Sequence, residues 1–270
     1  MQKNTPEVSS RTIIADYARL LKTPIATPDV IAPLLTTELP KRNTTKKCAL
    51  LLSPHPDDEC LTGVLPLRLL REQNWQVVDV AVTLGSNISR RDQRKKELAK
   101  ACTVLGFSCV MPEENGFSDI TPASRSADND AWNLKAKRIA EIIAHFRPEL
   151  IVLPHADDGH ATHRSTYLLG MDALAILPKE YTCTVALTEY WQPIIAPNTM
   201  IGASEEDVAT LMSALACHEG EITRNAYDRR FPAMLMDTVR RGEILAGQGK
   251  TSPAMDFGQM LTLGVWLKSR

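Results

Sequence analysis

The sequence carries no surplus of either charge. Its 31 Lys and Arg against 32 Asp and Glu leave a formal net charge of −1. Without a basic excess, neither nucleic acid nor an anionic membrane is an expected partner. No CxxC pair occurs among the six cysteines, Cys48, Cys60, Cys102, Cys109, Cys183 and Cys217. Most of them sit inside apolar runs, the pattern of buried free thiols in a reducing compartment. The opening stretch MQKNTPEVSSRTIIADYARLLKTP lacks the apolar core of a secretory leader. No apolar run approaches the ~20 residues that span a bilayer, so a cytoplasmic protein with no transmembrane segment is expected. No GxGxxG follows the first strand-like segment. The stretch ILAGQGKT, Ile244 to Thr251, ends like a P-loop, but Ile244 stands where that motif needs its first glycine and the stretch follows a helical pattern. An ATPase or dehydrogenase is therefore not expected. Internal repeats and long low-complexity tracts are also absent.

What is present is an ordinary globular composition, 44% hydrophobic and 23% charged over 270 residues, enough for one large domain or one domain with extensions. Residues 1–46 read as an N-terminal extension packed on the core, with a short amphipathic helix in SSRTIIADYARLL followed by a Pro- and Thr-rich stretch. Residues 47–270 form the main domain. Strand-like and helix-like segments alternate along it: CALLLS, CLTGVLPLRLLREQN, QVVDVAVTLG, RRDQRKKELAKACTVLG, SCVMP, AWNLKAKRIAEIIAHFRP, ELIVLPH, HRSTYLLGMDALAIL, CTVALTEY. In AWNLKAKRIAEIIAHFRP the residues Leu134, Ile139, Ile142, Ile143 and Phe146 are read as one apolar face. The alternation predicts βαβ units and an α/β fold, a Rossmann-like three-layer α/β/α arrangement around a mostly parallel sheet.

Both polar clusters of the chain follow predicted strands, where open parallel sheets bind their ligands. SPHPDDE (53–59) holds His55, Asp57, Asp58 and Glu59; PHADDGHATHRST holds His155, Asp157, Asp158, His160 and His163. Four of the six histidines thus fall in two loops. Each cluster has a plain structural alternative, a solvated loop histidine or an acid pair capping a helix. Together they suit a divalent metal of the zinc class, with imidazole and carboxylate ligands drawn from two loops and one position left for water. A cation there would also offset three consecutive carboxylates at the end of a core strand. Adjacent residues of an extended segment face opposite sides, so Asp57 is expected to point away from any metal held by Asp58. Glu59 is expected to orient the loop or cap the next helix.

These residues resemble a known family. SPHPDDE is similar to the (A/S)HPDDE signature of the LmbE-like, or PIG-L-like, zinc-dependent N-deacetylases, and DGHATH to their later His-x-x-His motif. Arg94, Glu97, Ala101, Leu105 and Gly106 match the family's Arg-x-x-Glu…Ala…Leu-Gly helix. ALACHEGEI resembles a later helix that carries a histidine, and the likeness runs over about residues 47 to 225. It implies His55, Asp58 and His163 as ligands of Zn2+ or another divalent metal. Asp57 would be the general base, His160 the group that steadies the oxyanion or protonates the amine, and Arg94 a substrate contact. Two positions depart from the pattern: Thr162, where many members have Asp, and Asn115, where Asp is common before the glycine. Asp157 and Asp158 are candidate partners of a ligating histidine.

The implied activity is removal of an acetyl or other N-acyl group from an N-acetylglucosamine-type sugar or sugar conjugate. Alternatives are an amidase acting on a thiol–sugar or other N-acyl conjugate and a non-catalytic, metal-bound sugar-binding protein on the same fold. The WQPIIAPNT loop and the N-terminal extension are expected to shape the pocket.

Overall fold

The computed structural model describes residues 7–127, 129–246 and 253–268; the Gly-Lys-Thr end of ILAGQGKT lies outside them. Five short apolar runs form parallel strands, β1 (Cys48–Ser53), β2 (Gln76–Ala81), β3 (Ser108–Val110), β4 (Leu150–Pro154) and β5 (Thr182–Thr188). They lie in the order β3-β2-β1-β4-β5. Two further strands, β6 (Thr199–Ala203) and β7 (Phe257–Leu267), continue the sheet antiparallel, β7 on β5 and β6 on β7.

The helices are α1 (Ser10–Leu20), α2 (Asp58–Leu61), α3 (Val64–Gln73), α4 (Arg91–Leu105), α5 (Pro122–Ala127), α6 (Asn129–Phe146), α7 (Ala161–Ile176), α8 (Glu205–Ala216), α9 (Glu219–Ile222), α10 (Tyr227–Arg241) and α11 (Glu243–Ala246). None is long and apolar enough to cross a membrane among the described residues. Every residue of β1 is buried, because helices cover both faces of the sheet. Cys48, Leu50 and Leu52 enter a core shared with α6 and α7. Ala49 and Leu51 enter a second core shared with α3, α4, α8 and α10. This two-way division of one strand makes the fold a three-layer α/β/α sandwich.

The chain starts at the central β1, builds out through β2 and β3, then returns to place β4 and β5 on the other side of β1. The reversal leaves a crevice at the carboxyl ends of β1 and β4. SPHPDDE leaves β1 there, and PHADDGHATH leaves β4.

Three local readings change in the structure. The segment CLTGVLPLRLLREQN is two helices, α2 and α3, broken at Thr62 and Gly63. A Cβ on Gly63 would lie 2.6 Å from Glu59 O and Leu211 Cδ2. Leu134 does not join the apolar face of α6 and is 68% exposed. It stands about 140° around the helix from Ile139, whereas Trp132 falls on that side and is buried in the core. In the N-terminal region α1 buries no residue. The stretch after it meets the main body through Thr27 Oγ1 on Ala216 O (3.2 Å), Arg138 Nη2 on Thr37 O (3.2 Å) and Leu35 and Leu39 against the two cores.

Gly170 sets how closely α7 approaches the sheet. A Cβ there would meet Leu153 Cδ2 at 2.7 Å and Leu52 Cδ1 at 3.1 Å. Since α7 carries His163, this close approach also sets the depth of a site residue. Gly170→Val is expected to destabilise the protein by about 1–3 kcal/mol through overpacking, read as a lower midpoint in urea unfolding.

Candidate active site

The first wall of the crevice is a strained turn. After β1 the chain passes Pro54, His55 and Pro56, and Asp57 takes φ 118°, in the left-handed region, as the residue preceding α2. Its N–H donates to Glu59 Oε2 at 2.8 Å. The extended alternation expected of this stretch is therefore absent. Asp57 and Asp58 diverge because one ends a turn and the other begins a helix. Asp58 Oδ2 accepts the His55 N–H (2.9 Å) and lies 3.3 Å from His55 Nδ1 and 3.4 Å from His163 Nε2. The Asp57 side chain takes no part in these pairs and lines the cavity beside them.

The second wall is the loop from β4 to α7. Asp158, 1% exposed, accepts the His160 N–H at 2.8 Å through Oδ1 and the Trp191 N–H at 3.1 Å through Oδ2. Its Oδ1 is also 3.4 Å from His163 Nδ1. Asp158 thus sits behind His163, while Asp157 is exposed. His160 caps α7, its Nδ1 accepting the Thr162 N–H at 3.3 Å. The three-residue spacing from His160 to His163 brings both rings to one helix end, 5.0 Å apart, and His55 is 5.0 Å from the first and 5.3 Å from the second. His155 stands outside the three-ring cluster, its Nε2 2.8 Å from Gln192 O and 3.9 Å from Asp158 Oδ2.

The electrostatics follow from this packing. Burial and the neighbouring Asp58 carboxylate push Asp57 well above the usual carboxylate range, with Arg94 opposing. Burial also works upward on Asp58, but His163 and His55 outweigh it and hold Asp58 low. His163 is raised, since Asp58 and Asp158 overcome the effect of burial. His160 is lowered by burial and by the two other histidines.

The donor set fits a zinc-class ion. Two atoms bound to one tetrahedral ion at about 2.1 Å stand about 3.4 Å apart. The Asp58 oxygen meets His55 Nδ1 and His163 Nε2 at 3.3 and 3.4 Å. Donor atoms of His55, His160 and His163 also lie within 4.8 Å of one another. The second-layer contact of Asp158 on His163 is the kind that orients a metal-bound imidazole.

The cavity in front of this cluster measures about 1060 Å³. Trp191 from the WQPIIAPNT loop lines it, and no described residue of the N-terminal extension does. Arg94 lines it too, but its guanidinium is engaged by protein: Nη1 donates to Leu84 O (3.2 Å), Nη2 to Pro56 O (3.1 Å), and Glu221 is 3.6 Å away. Several lining residues carry no mark in the sequence: Tyr190, whose ring meets His163 edge-on at 4.6 Å, Tyr227, which meets Trp191 at 6.0 Å, and Arg90, Arg91 and Arg230. For the three arginines the one hint is the clustering of basic residues in ISRRDQR and NAYDRR; for the tyrosines there is none.

Residues 50–174 match the family described as PIG-L: GlcNAc-PI de-N-acetylase. A probable N-acetyl-alpha-D-glucosaminyl L-malate deacetylase 2 of Bacillus cereus is 26% identical over 188 residues, 64% of this chain and 82% of that protein. Among solved structures, the 4-carboxy-2-hydroxymuconate hydratase GalB of Pseudomonas putida KT2440 superposes with a TM-score of 0.62 at 18% identity, over 80% of this chain and 95% of that one. The N,N'-diacetylchitobiose deacetylase of Pyrococcus horikoshii does so with a TM-score of 0.54 at 16% identity, over 97% and 95%. The two structures share the fold and differ in the reaction that their names state.

Proposed function

We propose, from the match of residues 50–174 to the PIG-L family, that the chain is a metal-dependent N-deacetylase acting on N-acetylglucosamine conjugates. The observation that carries this reading is the Asp58 carboxylate set between His55 and His163 at tetrahedral-edge distances. His55, Asp58 and His163 would hold the ion, zinc being the first choice for this donor set. When bound, it would acidify water and polarise the amide carbonyl.

The remaining work falls to the chain's own side chains. Asp57, buried and outside the ligand set, accepts the proton of the attacking water. The neutral His160 ring, with Nδ1 accepting from Thr162, keeps its proton on Nε2 and can donate it to the developing oxyanion. That backbone contact supplies an orienting partner for His160 although its neighbour in the motif is Thr162 rather than an acid. The C–N bond then breaks, the amine takes up the proton, and acetate leaves.

The cavity, about 1060 Å³, is just above the range of roughly 300–1,000 Å³ typical of ligand sites, which suits a conjugate better than a lone monosaccharide. Arg91 and Arg230 line it, and neither has a carboxylate partner among the described residues, though Arg91 donates to Gly85 O at 3.4 Å. An aglycone bearing a carboxylate is thus the favoured substrate, in line with the malate named for the Bacillus cereus relative. The six cysteines are free, in keeping with a reducing cytoplasm.

Acetate release from a zinc-loaded preparation tests the reading. Release is expected from an N-acetylglucosamine conjugate carrying a carboxylate, with a lower KM than for free N-acetylglucosamine. Arg91→Gln with Arg230→Gln should raise the first KM about tenfold, the scale of one charge-assisted contact, and leave the second unchanged. No acetate from any N-acetylated sugar would overturn the proposal.

A further inference from the structure

Asp57 sits in a left-handed turn, and the contacts that keep it there can be traced through the fold. A non-glycine residue holds such a backbone only where its surroundings over-determine it. Here the surroundings grip a single peptide unit from two sides. The Pro56 carbonyl accepts from Arg94 Nη2 at 3.1 Å, and the N–H of the same unit, on Asp57, donates to Glu59 Oε2 at 2.8 Å.

Both grips lead to one four-residue stretch more than 150 positions later. The other oxygen of Glu59, a fully buried side chain, forms a 2.6 Å hydrogen bond with Nε2 of His218, itself 1% exposed. Glu221 faces Arg94 at 3.6 Å and Arg90 at 3.4 Å. Between them, the Gly220 N–H donates to Glu97 Oε1 at 3.0 Å, which ties the stretch to α4 one turn from Arg94. Glu59 also accepts from Cys60 Sγ at 3.2 Å, and Arg94 also donates to Leu84 O at 3.2 Å, but His218 and Glu221 are the partners of each that come from outside their own surroundings. Each is held by its partner at the start or end of this segment.

We infer that His218–Glu221 is a positioning segment. Acting through Glu59 and Arg94, it fixes the plane of the Pro56–Asp57 peptide and so aims the Asp57 carboxylate. The inference rests on Asp57 as the base, but the clamp itself has a readout that does not need activity. Arg94 becomes a positioning residue on this account rather than a substrate contact.

The test uses the full chain with His218→Leu, which removes the bond to Glu59, and His218→Gln, which can restore an N–H donor. Hydrogen exchange of the peptide spanning His55–Glu59 is followed by mass spectrometry in metal-free protein, and kcat, KM and metal content are measured in loaded protein. For His218→Leu we expect at least tenfold faster exchange in that peptide. We also expect a kcat loss on the order of 100-fold, the scale of a misplacement near 1 Å, with KM and metal content within twofold. His218→Gln should recover most of both. Unchanged exchange at His55–Glu59 in folded His218→Leu overturns the clamp. So does a uniform loss of exchange protection over the whole chain that His218→Gln does not reverse. Should His218→Leu fail to fold, Glu221→Gln weakens the other arm and is judged by the same exchange criterion. A wild-type protein with no deacetylase activity sinks the functional reading, and exchange alone then decides the clamp.

Discussion

Asp57→Asn is expected to lower kcat for deacetylation about 10²–10⁴-fold, the usual contribution of a positioned general base, with metal content unchanged. The reason is geometric. Asp58 alone of the two acids meets His55 and His163, and the Asp57 side chain lies outside that set while lining the same cavity. Asn keeps the shape and the backbone N–H that Glu59 holds, so the turn and the donor set survive and only proton acceptance is lost. Steady-state kinetics with acetate detection, paired with metal analysis of the same preparation, reads both quantities. Full activity in the variant would remove Asp57 from the mechanism. Loss of the metal together with activity would make it a ligand instead.

The complementary result concerns Asp58. Asp58→Ala is expected to abolish both metal binding and activity, because its one oxygen is shared by two imidazoles and, among the described residues, no other carboxylate meets both. A chelator should likewise bring the wild type to background, with recovery on adding Zn2+. Asp158→Ala should be milder, costing about 10–100-fold in metal affinity as a second-layer partner of His163. His160→Ala separates two roles that proximity alone leaves together, since its donor atom lies within 4.8 Å of those of His55 and His163. Retained metal with a lower kcat fits the donor to the oxyanion. Lost metal would place His160 among the ligands and displace the assignment made above.

How much of this was readable without coordinates differs from residue to residue. The parallel core was legible because buried strands leave unbroken apolar runs such as CALLL, and because HPDDE and HATH each follow one. The antiparallel β6 and β7 were not, since β6 is only partly buried along its whole length and β7 buries its first half but leaves Val265 69% exposed, so neither leaves an unbroken buried run. Periodicity misplaced Leu134 because it counts apolar residues without fixing which arc faces the sheet. The conformation of Asp57 was unreadable for another reason. Its φ of 118° goes with a peptide gripped by Glu59 and Arg94, and only chain folding brings His218 and Glu221 up behind those two. Asp157 and Asp158 look equivalent on paper. Whether an acid is buried behind His163 or exposed depends on one residue of loop geometry.

The chain reversal at β1 has a consequence for assembly. The proposed ligands come from opposite banks of the crevice, about a hundred residues apart in the chain, so neither half of the molecule holds a complete donor set. A nascent chain could not capture the ion tightly until β4 had docked against β1. Once captured, the ion would be a thermodynamic cross-link between the two wings of the sheet, adding RT ln(1 + [M]/Kd) to the native state alone. Metal supply would then govern not only turnover but the fraction of chains that stay folded, and scarcity of the ion would register as shortened protein lifetime.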